Sequence, residues 1–367
     1  MWKIMRPDAE KIWKNKEILS RFSYYFAIIN KKKIARYLIT KKVPVSIELN
    51  NSTPLEKLWD KHSHAAGKFN KLFQELDTQQ NSSKYLDSLD TPQTSLLDLK
   101  IELANRILRN CHFCERKCQV NREEKKGTCR LGADAYVSSW FHHMGEEAPL
   151  IPSGTIFFES CSFKCVFCQN YDISQQPSWT LAVNGRKLAA IANELAREKV
   201  KNINYVTPLP NTHVIIQSFK HQTENITQLW NSNMYCSKDS MKLLLELMDF
   251  WLPDWKYFKD SHAEKYSKVP HFLDVVTRNH KMVHDEGSGE MIIRHLVMPN
   301  HIECCTKPIL ERIAKECPKA VVNIMGQYRP CYQAHNYPEI NRSPTSKELN
   351  EARKYATELG LLWEPVS

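Results

Sequence analysis

The stretch "SCSFKCVFCQN", residues 160–170, places Cys161, Cys165 and Cys168 within eight positions, in the spacing C-x3-C-x2-C. A tetrahedral zinc site or an ordinary iron–sulfur cluster takes four protein ligands. Three thiolates can instead hold three irons of a four-iron cluster and leave the fourth iron open to a chelating small molecule. The competing reading is a zinc knuckle completed by a distant residue such as His142 or His143.

A second cluster, "CHFCERKCQVNREEKKGTC", supplies Cys111, Cys114, Cys118 and Cys129 in the spacing C-x2-C-x3-C-x10-C. Four thiols make a closed site, either structural zinc or an auxiliary four-iron cluster. Between the clusters lies "HHMGEEAPL". Adjacent side chains diverge on a helix or strand, so at most one of each pair is expected to face a site, with His142 and Glu147 as the candidates. Cys236, Cys304, Cys305, Cys317 and Cys331 show no ligand spacing and read as small buried hydrophobes.

The elements that must position these residues begin with a run of strands. "TIFFES", "NINYVT", "ITQLWN", "WLPDW", "EMIIRHLVM" and "AVVNIM" are each followed by a helical pattern. Six β-then-α units with continuous apolar strands imply a parallel sheet covered by helices. The fold class is therefore α/β, a partial (β/α)6 barrel with chemistry at the C-terminal ends of its strands. The three-cysteine loop follows the first of those strands, and "TPLPNTH", "WNSNMY", "PDWKY", "RHLVMPNH" and "GQYRP" follow the others.

The chain divides on this reading into a partly helical N-terminal extension and linker over 1–95, a cysteine-rich metal-binding module over 96–150 and the barrel over 151–367. A helix is expected from about residue 55, with Ser52 or Thr53 as its N-cap, and the polar stretch 77–95 is the linker candidate. The net charge is +10, and residues 1–50, with twelve Lys or Arg against four Asp or Glu, hold +8 of it. That segment reads as a basic, solvated arm, with a dock for nucleic acid or an acidic partner as the alternative. With 42% hydrophobic and 25% charged residues, no secretory leader and no long apolar run, the chain is expected in the cytoplasm with no membrane partner, and its clustered cysteines point to metal rather than disulfides.

The cysteine loop with Phe167 just before its last cysteine resembles the radical S-adenosylmethionine superfamily. "SGTIFFESCSFKCVFCQNYDIS", "VTP", "WNSNMY", "LPDWKY", "IIRHLVMPN" and "YPEINR" are similar to the branch of pyruvate formate-lyase activating enzyme homologues, over roughly residues 105–363. The resemblance implies a [4Fe-4S] cluster on Cys161, Cys165 and Cys168 whose open iron binds S-adenosyl-L-methionine. It further implies reductive cleavage of that cofactor to a 5′-deoxyadenosyl radical, which abstracts hydrogen from a substrate. By position, Phe167, Thr207, Asn231, Ser232, Asn233 and Arg294 would contact the cofactor, Arg294 reaching it or a substrate carboxylate. Many members of the superfamily carry Gly-Gly-Glu where this chain has Val206, Thr207 and Pro208.

An electron donor such as ferredoxin or flavodoxin is implied. The expected substrate is a peptide or protein, as for an activase of a glycyl-radical enzyme, entering by the lateral gap of the open barrel; an anionic metabolite is the other option. A nucleic-acid partner is not expected. A different class of function is a degenerate iron–sulfur protein that transfers electrons or binds ligands without cleaving the cofactor.

Overall fold

Among the described residues eight strands order the chain: β1 (Ala135–His143), β2 (Ser153–Phe158), β3 (Leu181–Val183), β4 (Asn202–Val206), β5 (Thr227–Ser232), β6 (Phe250–Pro253), β7 (Ile292–Leu296) and β8 (Val321–Met325). The computed structural model describes residues 6–287 and 289–366. Residues 1–5 of the N-terminal segment lie outside the described residues, as do positions 288 and 367 of the barrel segment.

Strands β2, β4, β5 and β6 run parallel side by side, and β7 pairs in parallel with β8. Single parallel bridges, Trp251 to Met291 and Asp254 to Arg294, carry β6 onto β7. A helix follows each of these six strands, so the expected partial (β/α)6 barrel is what forms. Strand β1, which the sequence pattern does not announce, lies antiparallel to β2 and carries β3 on its other edge. It belongs to the barrel's sheet, so the structural unit of the barrel begins at Ala135 rather than at 151.

The barrel interior is layered. At the N-terminal ends of the strands, Leu229, Phe250, Leu252, Ile292 and Val321 form one apolar cluster with Ile18, Phe22, Tyr25 and Phe26. Above it the inward positions turn polar, with Thr155, Asn204, Asn231, Arg294 and Asn323. A closed barrel of this class fills such a layer with branched aliphatic residues; a polar layer is expensive unless hydrogen-bonded, and here Thr155, Asn204 Nδ2, Asn231 Oδ1 and Asn323 Nδ2 have partners while Asn204 Oδ1 has none among the described residues.

That first cluster corrects the reading of residues 1–50 as a solvated arm. The helices Lys16–Arg21 and Ser23–Ile29 supply the apolar plug of the barrel floor. Several basic residues are spent on internal partners. Arg36 is buried, its Nε donates to the Leu245 carbonyl at 3.0 Å, and its guanidinium lies 5.0 Å from the ring centroids of both Phe69 and Phe73. Lys41 Nζ donates to the Gln222 carbonyl at 2.6 Å.

Helix Leu55–Thr78 starts where expected, but at Pro54, without a side-chain cap; Ser52 and Thr53 instead donate to Asn50 Oδ1. The linker candidate 77–95 contains a further helix, Ser82–Ser88, with Leu86 buried. It is tied down by hydrogen bonds from Val45 N–H to the Thr94 carbonyl at 3.0 Å and from Leu96 N–H to the Val43 carbonyl at 2.9 Å. No described helix is long and apolar enough to cross a membrane.

Candidate metal centre at the barrel mouth

The loop after β2 brings Cys161, Cys165 and Cys168 to the wall of one cavity of about 240 Å3 at the C-terminal ends of the strands. Local hydrogen bonds hold each sulfur. Phe163 N–H points at Cys161 Sγ at 3.3 Å, the Ser267 hydroxyl lies 3.0 Å from Cys165 Sγ, and the Ser174 hydroxyl lies 3.1 Å from Cys168 Sγ. Main-chain bonds from Lys164 to the Ser267 carbonyl and from Val166 to the Tyr266 carbonyl fasten the loop to the helix after β6. Burial pushes all three thiols up, Cys161 to about 11 and Cys165 further, with neighbouring thiols adding to the rise at Cys161 and Cys165. Thiols buried in this way are eased into thiolates by a cation beside them, and three thiolates from one loop could serve as the donor set of a metal cluster.

The residues expected around the cofactor share the cavity wall: Phe167, Thr207, Asn231, Ser232, Asn233 and Arg294 all line it. Asn233 Nδ2 approaches Cys161 Sγ at 3.7 Å. Thr207 has φ +58°, left-handed backbone that a β-branched residue adopts only under strain. Its N–H donates to the Asn231 carbonyl at 3.1 Å, locking the end of β4 to β5. Thus a strained threonine stands where many superfamily members carry glycine.

Sequence reasoning singled out neither Lys256 nor Asp254, although "PDWKY" marked their segment. Both line the cavity and pair with each other, and Lys256 is a cation that eases ionisation of all three thiols.

Arg294 is engaged by carboxylates of its own chain. Its side chain is 15% exposed, and it grips Glu147 at both oxygens, Nε to Oε1 at 2.7 Å and Nη2 to Oε2 at 2.9 Å, while also pairing with Glu146. Nη1 reaches Asn231 Oδ1 at 3.2 Å. Burial works against its charge, but Glu147 and Glu146 outweigh it and hold Arg294 protonated. Glu146 is held down to about 2, burial opposing and Arg294 and His143 prevailing.

The expectation of at most one inward residue from each adjacent pair fails for Glu146 and Glu147, because they lie on a loop rather than a helix or strand. On β1 one histidine of the pair faces inward, but it is His143 rather than the expected His142. His142 points outward to Glu198 at 2.7 Å, and His143 faces Glu146 at 3.2 Å. Neither completes a zinc knuckle with the three cysteines.

The gap between the first and last barrel strands is crossed by the chain itself. Glu147, from the segment leading into β2, accepts a hydrogen bond from Asn323 Nδ2 of β8 at 2.7 Å. Helix Pro7–Ile12 packs outside this segment through Ala9 against Ala148 and Ile151. Behind it lies a polar cavity of about 650 Å3 that shares Asn231, Arg294 and Gln327 with the cysteine cavity.

Cys111, Cys114, Cys118 and Cys129 gather in a tight fold of turns. Gly127 lies so close that a Cβ there would stand 3.4 Å from Cys118 Sγ and 3.6 Å from Cys129 Sγ. Burial pushes Cys111 to about 11 and Cys114 to about 12; for Cys118 burial is outweighed by the N–H groups of Thr128 and Val120, which favour the thiolate. These four thiols are the residues that could hold a second metal. The module docks on the three-cysteine loop: Arg116 Nε donates to the Ser162 carbonyl at 2.7 Å, and the Ser160 hydroxyl to the Cys129 carbonyl.

No family model matches the chain. Over 345 residues it is 40% identical to an uncharacterized protein of Methanocaldococcus jannaschii, with 92% of this chain and 97% of that protein covered. Among solved structures, a domain of pyruvate-formate lyase-activating enzyme from Bacteroides vulgatus aligns with 12% identity and a TM-score of 0.32, over 49% of this chain and 89% of that one. Streptococcus suis SuiB bound to precursor peptide SuiA aligns with 13% identity and a TM-score of 0.39, over 54% and 43%.

Proposed function

The chain belongs to one family with the uncharacterized Methanocaldococcus jannaschii protein, and we propose that it is a radical S-adenosylmethionine enzyme. The observation that carries this reading is the convergence of Cys161, Cys165 and Cys168 on a cavity at the C-terminal mouth of a six-stranded partial barrel, beside Asn231, Asn233 and Lys256. A four-iron cluster on those thiolates would supply the electron that cleaves S-adenosylmethionine to a hydrogen-abstracting 5′-deoxyadenosyl radical. In this reading the electron comes from a ferredoxin or flavodoxin.

This chain's own residues would position and shield. Thr207, Asn231, Ser232 and Asn233, on the wall of the cavity, would offer backbone and side-chain polar groups to the cofactor's amino acid and ribose. Phe167 packs against Tyr328 and Tyr257, with ring centroids 5.6 and 6.5 Å away, and keeps water from one side of the sulfurs. Arg294 holds Glu146 and Glu147 rather than standing free for a ligand, so its part is to position Asn231 and the two carboxylates.

For the substrate, the crossing of the open side by Glu147 and the adjoining polar cavity support a small polar molecule over the glycyl loop of a partner enzyme. The cysteine module, docked against the cluster loop, suits either a brace or an auxiliary cluster.

The test is anaerobic reconstitution with iron and sulfide, then reduction with S-adenosylmethionine present and assay for 5′-deoxyadenosine. A reconstituted cluster that yields none would favour electron transfer without cofactor cleavage. Fractionated cell extract then separates the substrate classes. Stimulation by the low-mass fraction is expected, and a protein-centred radical by spin resonance would restore the activase reading.

A further inference from the structure

Away from both cysteine clusters, three side chains with no shared sequence motif meet on the rim of the barrel. His262 lies in the first turn of helix Asp260–Ser267 after β6, and His301 and Cys304 lie at the π-helical turn Ile302–Thr306 after β7. One ligand atom from each falls within 4.8 Å of the others. The two imidazoles meet edge to face, with centroids 4.9 Å apart. Two histidines and a cysteine separated by 39 and 3 positions carry no spacing signal, which is why Cys304 reads from sequence as a core thiol.

The supporting contacts orient the donors. His301 Nδ1 lies 2.7 Å from the Pro299 carbonyl; a ring nitrogen facing a carbonyl carries the proton, so the lone pair is on Nε2. Such a second hydrogen bond is how metal-binding histidines are fixed. Cys305 Sγ stands 3.2 Å from His262 Nδ1 and holds that edge of the ring. Cys304 is partly exposed, which gives an ion an entry path. A π-turn inside a helix start is a strained arrangement often found at functional sites, and here it presents Cys304 and Cys305 on the same rim.

We propose that His262, His301 and Cys304 bind a zinc ion. Two neutral imidazoles and one thiolate, with no carboxylate, suit zinc over magnesium or calcium. The ion would clasp the loop after β7 to the helix after β6. That helix ends at Ser267, whose hydroxyl contacts Cys165 Sγ, so the clasp braces the support of one cysteine of the mouth.

The test uses the full chain with its cysteine clusters reconstituted anaerobically, so that those thiols are already occupied, and titrates cobalt(II) as a spectroscopic stand-in for zinc. Wild-type protein is expected to take up one equivalent more than His301→Ala or Cys304→Ser, with a thiolate-to-cobalt charge-transfer band that zinc abolishes by displacement. Each of the two variants should bind that equivalent at least about tenfold more weakly, and Cys331→Ser should bind like wild type. Wild-type protein without the extra equivalent, or Cys304→Ser with the band intact, would overturn the site. The readout does not pass through S-adenosylmethionine, so it stands or falls separately from the radical-enzyme reading.

Discussion

Glu290 Oε2, at the threshold of β7, accepts the backbone N–H of Tyr25 at 2.8 Å. Its other oxygen takes the Tyr24 N–H at 2.6 Å, so a carboxyl group of the barrel caps the start of helix Ser23–Ile29. The helix in turn puts Tyr25 and Phe26 into the barrel floor. Removing residues 1–50 therefore strips the floor. At about 1.5–3 kcal/mol for each large apolar side chain, the loss of Ile18, Phe22, Tyr25 and Phe26 alone rivals the net stability of about 5–15 kcal/mol typical of a native protein. The truncated chain is expected to lose near-UV circular dichroism and to retain no cluster iron; a truncation that melts like the full chain would contradict this.

The same carboxyl group sets a pH dependence. Burial pushes Glu290 up to about 8, and Asp249, which takes N–H bonds from Arg36 and Gln228, up to about 7. Both raised groups hold their protons in the folded chain where the unfolded chain has lost them. Their contribution is complete below the ordinary carboxylate range and falls away as pH rises through about 7 to 8. The metal-free protein is expected to lose on the order of a few kcal/mol of stability between about pH 5 and about pH 8. Urea titrations across that range check it, and Glu290→Gln should flatten the slope.

Replacing Cys161, Cys165 or Cys168 with Ala should abolish 5′-deoxyadenosine formation and remove the iron of one cluster, while Cys331→Ser should keep both. Iron analysis and the cleavage assay read the two effects together. A Cys165→Ala protein that still cleaves the cofactor at the parent rate would remove the cluster assignment.

The four-cysteine module predicts a different phenotype. Cys111→Ala or Cys118→Ala should lose metal outside the three-cysteine site and lower the thermal midpoint. Cofactor cleavage should fall only in part, since the module touches the cluster loop through Arg116 and Ser160 and supplies none of its three thiols. Metal analysis by mass spectrometry separates zinc from additional iron, and a variant that loses no metal would refute the closed site.

Much of this was legible in the sequence, for identifiable reasons. The six parallel strands announced themselves because strands covered on both faces are apolar throughout, and the cysteine loop because ligands from one short loop must be close in sequence. The plug formed by Phe22 and Tyr25 was hidden, because "RFSYYFAIIN" lies among lysines and arginines whose partners, such as the carbonyls of Leu245 and Gln222, are distant backbone atoms. The polar layer left a trace that went unread: Asn202 and Asn204, then Asn231 and Asn233, alternate along β4 and at the end of β5 as inward positions do. Glu147 could not be placed without the fold, since its partners Arg294 and Asn323 lie more than a hundred residues downstream.

The triad of Arg294, Glu147 and Glu146 yields the final prediction. One guanidinium holds two buried carboxylates, so the two kinds of deletion are unequal. Arg294→Met leaves both carboxylates buried without their cation, and breaking a buried pair in this way costs about 3–5 kcal/mol. Glu147→Gln keeps the shape, retains an oxygen for Arg294 and Asn323, and leaves Glu146 to balance the charge, so it should cost less than half as much. The double variant Arg294→Met, Glu147→Gln should be more stable than Arg294→Met alone, because one of the two stranded charges is gone. Urea denaturation of the four proteins closes the cycle. If the two single losses simply add, the ion pair is not coupled and Arg294 is free to serve a ligand instead, which would return it to the cofactor or substrate role that its position at the mouth first implied.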